Sequence, residues 1–201
     1  MSRTIAEHRD KAEEVIAGYC DPRNLYAYRT YDRVTHDGPL TPEDVLMANL
    51  MSLRLTWNDV VPLFATGAGP AQRLRRSLNC ALVDLRSGQP FEDHESVESL
   101  EASVAGLAAA NEAALEVRNW TYVTVSKVLH RRRPHIVPIM DSRVRNFYGT
   151  RKPASIRAAL WSDISKNRDW LHDVATGFPR PDGVEMSLLR AADILIWRGD
   201  P

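Results

Sequence analysis

One acid stands alone in a long basic stretch. From Val117 to Arg157 the chain carries ten lysines and arginines (Arg118, Lys127, Arg131, Arg132, Arg133, Arg143, Arg145, Arg151, Lys152, Arg157) and a single carboxylate, Asp141. Immediately before it, Ser87 to Glu116 carries seven acids (Glu92, Asp93, Glu95, Glu98, Glu101, Glu112, Glu116) and no lysine or arginine. Two arrangements satisfy this distribution: the stretches pack together and neutralise, or the basic one faces an anionic partner. Arginine dominates the basic set, because only four of the chain's 26 basic residues are lysine. Its planar fork suits phosphate or carboxylate. Trp120, Tyr122 and Tyr148 lie within the same stretch. An aspartate ahead of a short helix also serves as an N-cap, worth about 1 kcal/mol, and capping is compatible with catalysis.

Other constellations offer less. Glu92-Asp93-His94-Glu95 is rich in metal-ligating types, but neighbours in a helix project in different directions, so no metal is expected. His130 and His135 straddle Pro134 without a third ligand. No glycine-rich phosphate loop, nucleophile elbow or HExxH occurs, which disfavours nucleotide hydrolases and zinc peptidases. Cys20 and Cys80 are far apart and outside any CxxC context, so both are expected as ordinary thiols.

The elements that must position these residues read as helices. Thr4 to Gly18 spaces Ile5, Ala12, Val15 and Ile16 along one face. Asp21 to Pro39 reads as irregular. Thr41-Pro42-Glu43-Asp44 combines a cap, a first-turn proline and acids at the positive helix end, predicting a helix to about Leu53. Thr56 or Asn58 caps the next, through Phe64, and Pro70 opens another to about Arg86. The acidic stretch predicts one helix from Asp93 to Leu115. Trp120 to His130 has β-prone Thr121-Tyr122-Val123-Thr124-Val125, yet no second run offers a partner strand, so a helix is expected there too. Pro134 and Pro138 enforce an extended connection. Helices over Ser142–Tyr148, 153–174 and 185–197 complete the chain.

Val137-Pro138-Ile139-Met140-Asp141-Ser142-Arg143-Val144 resembles the connector and helix start of the helix-hairpin-helix DNA glycosylases, where an aspartate at the helix start is catalytic. A second resemblance is to a group of bacterial domains of unknown function. These carry a Ser-Lys-x-Leu-His…Arg-Pro…Pro-Ile-x-Asp run (here Ser126 to Asp141), an early Tyr-Asp segment (Tyr26 to Asp32) and a late Leu-Arg-x-x-Asp-Ile-x-x-Trp segment (Leu189 to Trp197). The glycosylase resemblance implies base excision by hydrolysis of an N-glycosidic bond. Asp141 would be the catalytic carboxylate, stabilising oxocarbenium-like charge or orienting water. Lys127, Arg131, Arg132, Arg133, Arg143 and Arg145 would contact phosphates while the base is turned out. Trp120, Tyr122 and Tyr148 would stack on it, at about 1–3 kcal/mol per base. The chain departs from those enzymes in having no glycine between Gly106 and Gly149, where they have a glycine-rich hairpin that grips phosphate. Lys127 lies 14 residues before Asp141, short of the roughly 18 expected by analogy for a lysine nucleophile, which disfavours a lyase.

These signals add up to an all-α, single-domain bundle of about eight helices over residues 1–201, helix-hairpin-helix glycosylase-like, with its site in 117–157. DNA is the implied partner, and no cofactor is expected. The alternative is a non-catalytic helical module that binds nucleic acid or protein. With 44% hydrophobic and 26% charged residues, the composition is that of a globular protein. No apolar run approaches a membrane span, and the charged first 19 residues do not read as a signal peptide. A cytoplasmic protein is expected.

Overall fold

Capping chemistry sets most helix starts. In the computed structural model, residues 3–199 are described apart from 22, 24–26, 35, 87 and 181–182, and for 27–29 the backbone alone. Twelve α-helices occur among the described residues: α1 Ala12–Cys20, α2 Ala27–Asp32, α3 Pro42–Met47, α4 Trp57–Phe64, α5 Pro70–Asp84, α6 Val97–Ser103, α7 Ala105–Ala114, α8 Tyr122–Arg132, α9 Ser142–Tyr148, α10 Pro153–Lys166, α11 Arg168–Gly177 and α12 Leu188–Arg198. Thr41 and Asp44 form a reciprocal box at the start of α3, as Thr56 and Asp59 do for α4. Pro42, Pro70 and Pro153 open α3, α5 and α10 at positions where a missing N–H costs nothing.

The all-α expectation holds among the described residues, while the helices are more numerous and shorter than predicted. The first begins as a 3₁₀ turn over Ile5–Lys11, and α3 ends in another over Ala48–Met51. The acidic stretch is not one helix. Asp93 ends a 3₁₀ turn, Ser96 caps α6 by accepting from the Ser99 amide, and Val104 (φ −102°, ψ 17°) separates α6 from α7. That break aims α7 at α5, where Gly106 allows close approach: a Cβ there would lie 3.2 Å from Asp84 Oδ2 and 3.4 Å from Ala81 Cα. Residues 153–174 divide at Asn167 into α10 and α11. Part of the stretch expected to be irregular forms α2, which packs on Ala48–Met51. Tyr26, the first residue of the early Tyr-Asp segment, lies outside the described residues.

Two helices are enclosed on every side. Thr124–Arg132 of α8 are all buried, as are Leu188–Ile196 of α12. Enclosure explains why the β-prone start of α8 folds as helix: packing overrides a propensity worth less than about 1 kcal/mol per residue. Thr121 caps it by accepting from the Thr124 amide. A single hydrophobic cluster runs through the fold, from Ile5 to Ile196. Both enclosed helices carry charged residues, so their neighbours must supply counter-charges.

Candidate active site

The basic turn faces inward. Arg131, Arg132 and Arg133 are buried. Arg131 pairs with Asp44 and donates to the carbonyls of Tyr31 (3.1 Å) and Arg33 (2.8 Å). Arg132 donates to Asp44 Oδ2 (2.9 Å) and the Gly38 carbonyl (2.7 Å). Arg133 reaches the Leu82 carbonyl and Asp37, each at 3.0 Å. Asp44 is the hub: fully buried, it takes both neighbouring guanidinium groups, with His36 Nε2 at 3.3 Å. The three arginines expected at phosphates therefore hold the loop before α3 onto α8. Neither arrangement read from the charge pattern describes this turn, because its counter-charges come from Asp37 and Asp44, upstream of the acidic stretch. That stretch does neutralise other cations: Glu101 pairs with Arg157, Asp93 with Arg168 and Glu116 with Arg73.

Asp141 sits where α9 begins. Its Oδ1 accepts from the amides of Arg143 (2.9 Å) and Val144 (3.3 Å), so the side chain caps the helix. Its Oδ2 lies 3.2 Å from Lys127 Nζ, which also donates to the Met51 carbonyl at 2.6 Å. Lys127 is thus buried beside the carboxylate and does not stand at the surface as a phosphate contact. Although the side chain of Asp141 is 12% exposed, it is not sealed. It lines a small cavity of about 70 Å³, together with Tyr19, Leu50, Met51, Ser52, Arg190, Asp193, Ile194, Trp197 and Arg198. Ser52 holds a left-handed backbone (φ 64°) at this wall, a conformation uncommon for any residue but glycine.

Behind the cavity lies a buried charge network. Arg190 Nε stands 2.9 Å from Asp32 Oδ1, its Nη1 donates to Asp193, and its Nη2 donates to Asp32 (3.0 Å) and the Tyr19 hydroxyl (2.8 Å). Burial pushes Asp193 up to about 6, against the pull of Arg190 and with further repulsion from Asp141. Next to it, Tyr31 stacks on His130 with ring centroids 6.2 Å apart, and its hydroxyl donates to the Lys127 carbonyl. Burial raises that phenol well above its ordinary value. His130 Nδ1 lies 2.6 Å from the Val137 carbonyl and so carries its proton there. Desolvation, with Arg190 nearby, pushes the imidazole down to about 3 and holds it neutral.

The late Leu189–Trp197 segment and the end of the Ser126–Asp141 run thus line one cavity, and Asp32 stands behind it through its contact with Arg190. A family model matches residues 12–200, nearly the whole chain. The chain belongs to DUF6308, a family of unknown function. No curated protein and no solved structure matches it.

Of the aromatic residues expected to stack on a base, this DUF6308 chain places two in its core. Trp120 is 3% exposed and donates to the Asp59 carbonyl, and Tyr148 donates to Asp163 Oδ2 at 3.0 Å. Tyr122 is half-buried, its hydroxyl accepting from Arg145 Nη1 at 3.0 Å. Arg145 also donates to the Asp141 carbonyl at 3.2 Å, and Arg143 is exposed beside it. The aromatic residues that do reach the cavity, Tyr19 and Trp197, were not among the expected stacking residues; nor were Arg190 and Asp193 among the expected site residues. Their sequence signal was the late Arg-x-x-Asp-x-x-x-Trp spacing, which on α12 sets Arg190, Asp193 and Trp197 along one face.

Proposed function

We propose that this protein hydrolyses N-glycosidic bonds, with Asp141 as the catalytic carboxylate and a base carried in DNA as the target. The observation that carries the reading is the position of Asp141: fixed by two backbone amides, backed by the Lys127 ammonium, and open to a cavity with Trp197 in its wall. A fixed carboxylate of this kind can stabilise positive charge developing at the anomeric carbon or hold the attacking water. Trp197, at the cavity wall, would supply a flat face for a base, and Arg143 and Arg145, next along α9, would supply phosphate contacts. Lys127 here positions Asp141. The likeness of Val137–Val144 to the helix start of helix-hairpin-helix glycosylases supports the bond class. The test is base release from oligonucleotides bearing uracil, hypoxanthine or 7-methylguanine, single- and double-stranded, read as alkali-labile abasic sites. Release by the native protein and its loss in Asp141→Asn is the expected result; an undiminished rate in Asp141→Asn removes the mechanism.

A second reading, a helical module that binds without chemistry, is favoured by one observation: Arg131, Arg132 and Arg133 bind their own fold. It predicts affinity for DNA, or for a protein, with no base release. Affinity that falls steeply between about 50 and 200 mM salt marks a phosphate-gripping surface, and a flat response marks a protein-interaction role.

A further inference from the structure

Of the ten cations between Val117 and Arg157, most answer to groups of the fold. Lys127, Arg131, Arg132, Arg133 and Arg157 pair with carboxylates, Arg145 donates to the Tyr122 hydroxyl, and the charge of Arg118 acts on Asp59. The three that remain, Arg143, Arg151 and Lys152, are exposed, and their side chains make no ion pair or hydrogen bond with a described residue. All three lie on α9 or in the turn that follows it, and residues 142–152 contain no acid.

Hydrogen bonds fix that turn. Gly149 closes α9 in the left-handed region (φ 64°); its amide donates to the Asn146 carbonyl at 3.3 Å and the Thr150 amide to the Arg145 carbonyl at 3.2 Å. Lys152 then caps α10, its carbonyl accepting from the Ile156 amide at 3.0 Å, with Pro153 in the first helical position. Arg151 and Lys152 therefore stand at a set corner between two helices. A Cβ built on Gly149 would meet nothing within 4 Å, so the space over the turn is open. Val144, Phe147 and Tyr148 of α9 are buried, which leaves this face without the apolar side chains that a membrane-surface helix inserts. Arg3, although it lies over the Phe147 ring, is taken by Glu7.

Resting on the DNA reading above, we propose that Arg151 and Lys152 continue the phosphate contacts of α9 into a track for the strand on one side of the target nucleotide. A strand presents negative charges at regular steps along a line, and these cations follow one helix with no acid among them. α9 begins at Asp141 in the cavity wall and ends at the corner about 10 Å away, by the rise of a seven-residue helix. That is the axial length of about three nucleotides of one strand. Because the corner lies at one end of α9, only one flank of the target reaches it.

Fluorescence anisotropy with a labelled oligonucleotide carrying one uracil, titrated with salt, reads these contacts. Each phosphate contact contributes about 0.7–0.9 to the slope of log affinity against log salt. Arg151→Ala and Lys152→Ala are each expected to lower that slope by about 1 and the double variant by about 2, while Arg76→Ala, an exposed cation on α5, leaves it unchanged. Circular dichroism is expected to show the native fold in each variant, since the side chains are exposed. Trimming the oligonucleotide towards the uracil gives the direction: the effect of the double variant should vanish when one flank is cut to a single nucleotide and persist when the other is. A double variant with an unchanged slope, or with an effect that ignores trimming of either flank, overturns the track. So does a native protein that binds vesicles of phosphatidylserine and phosphatidylcholine but not the oligonucleotide. Base release by the same preparations separates the two claims: the expected slopes with no release by the native protein keep the track and remove the hydrolytic reading, whereas release with an unchanged slope does the reverse.

Discussion

Replacing Asp44 by alanine removes the carboxylate that two buried guanidinium groups share. The side chains of Asp44, Arg131 and Arg132 are 0%, 3% and 1% exposed, so solvent cannot take over the lost interaction. Breaking a buried pair by deleting one partner costs about 3–5 kcal/mol, because the survivor stays charged and desolvated. Here two survivors remain, and the alanine also loses the acceptor that receives the Thr41 amide at 3.0 Å in the box opening α3. For a domain of this size each kcal/mol shifts the midpoint by about 2–4 °C, so the expected fall in Tm is about 6–20 °C. Urea unfolding followed by circular dichroism measures the free energy directly, and Asp44→Asn, which keeps the volume and one acceptor, should fall between native and alanine. Asp37→Ala is the control: its partner Arg133 also holds the Leu82 carbonyl, and the Asp37 side chain is 57% exposed. Its midpoint should stay close to native, as for exposed pairs generally. A loss below about 1 kcal/mol for Asp44→Ala, with unchanged m, would refute the reasoning and return Arg131 and Arg132 to the surface.

Two further outcomes follow from the same geometry. Arg143→Ala and Arg145→Ala should each lower the slope of log affinity against log salt by about 1 in fluorescence anisotropy with a labelled oligonucleotide; an unchanged slope would take α9 out of the interface. His130 titrates at about 3 when folded and near 6.5 when unfolded. The unfolded chain then binds the extra proton, so stability should fall as pH drops from about 6.5 towards 3. His130→Gln should flatten that decline, and an identical pH profile for the variant would contradict it.

Fold class was legible because helix starts here are local chemistry: Thr41-Pro42-x-Asp44 and Thr56-x-x-Asp59 each close a box with their own backbone. Helix breaks were not, since Val104 and Asn167 interrupt runs that look continuous and the interruption serves packing between distant elements. Asp141 was legible as a solitary acid at a helix start, and the structure does place it there. The fate of Arg131–Arg133 was illegible, because charge along a sequence says nothing about direction. Enclosure of α8 turned those arginines towards Asp37 and Asp44, about 90 residues away in sequence. The same lack of directional information hid Asp193, which reaches the cavity wall from α12 paired with Arg190. Nor does linear spacing show that Lys127 and Asp141 meet: the 14 residues between them span the end of α8 and a proline-stiffened connector, which fold back to a 3.2 Å contact.

Asparagine caps a helix as well as aspartate does, so Asp141→Asn preserves the start of α9 while deleting the charge that faces Lys127 and the cavity. The measurement that bears most directly on the account is the single-turnover rate of base release by this variant beside the native protein, at a temperature where circular dichroism shows both folded. The account predicts release by the native protein and a fall of about 100-fold or more in the variant. Equal rates would contradict it.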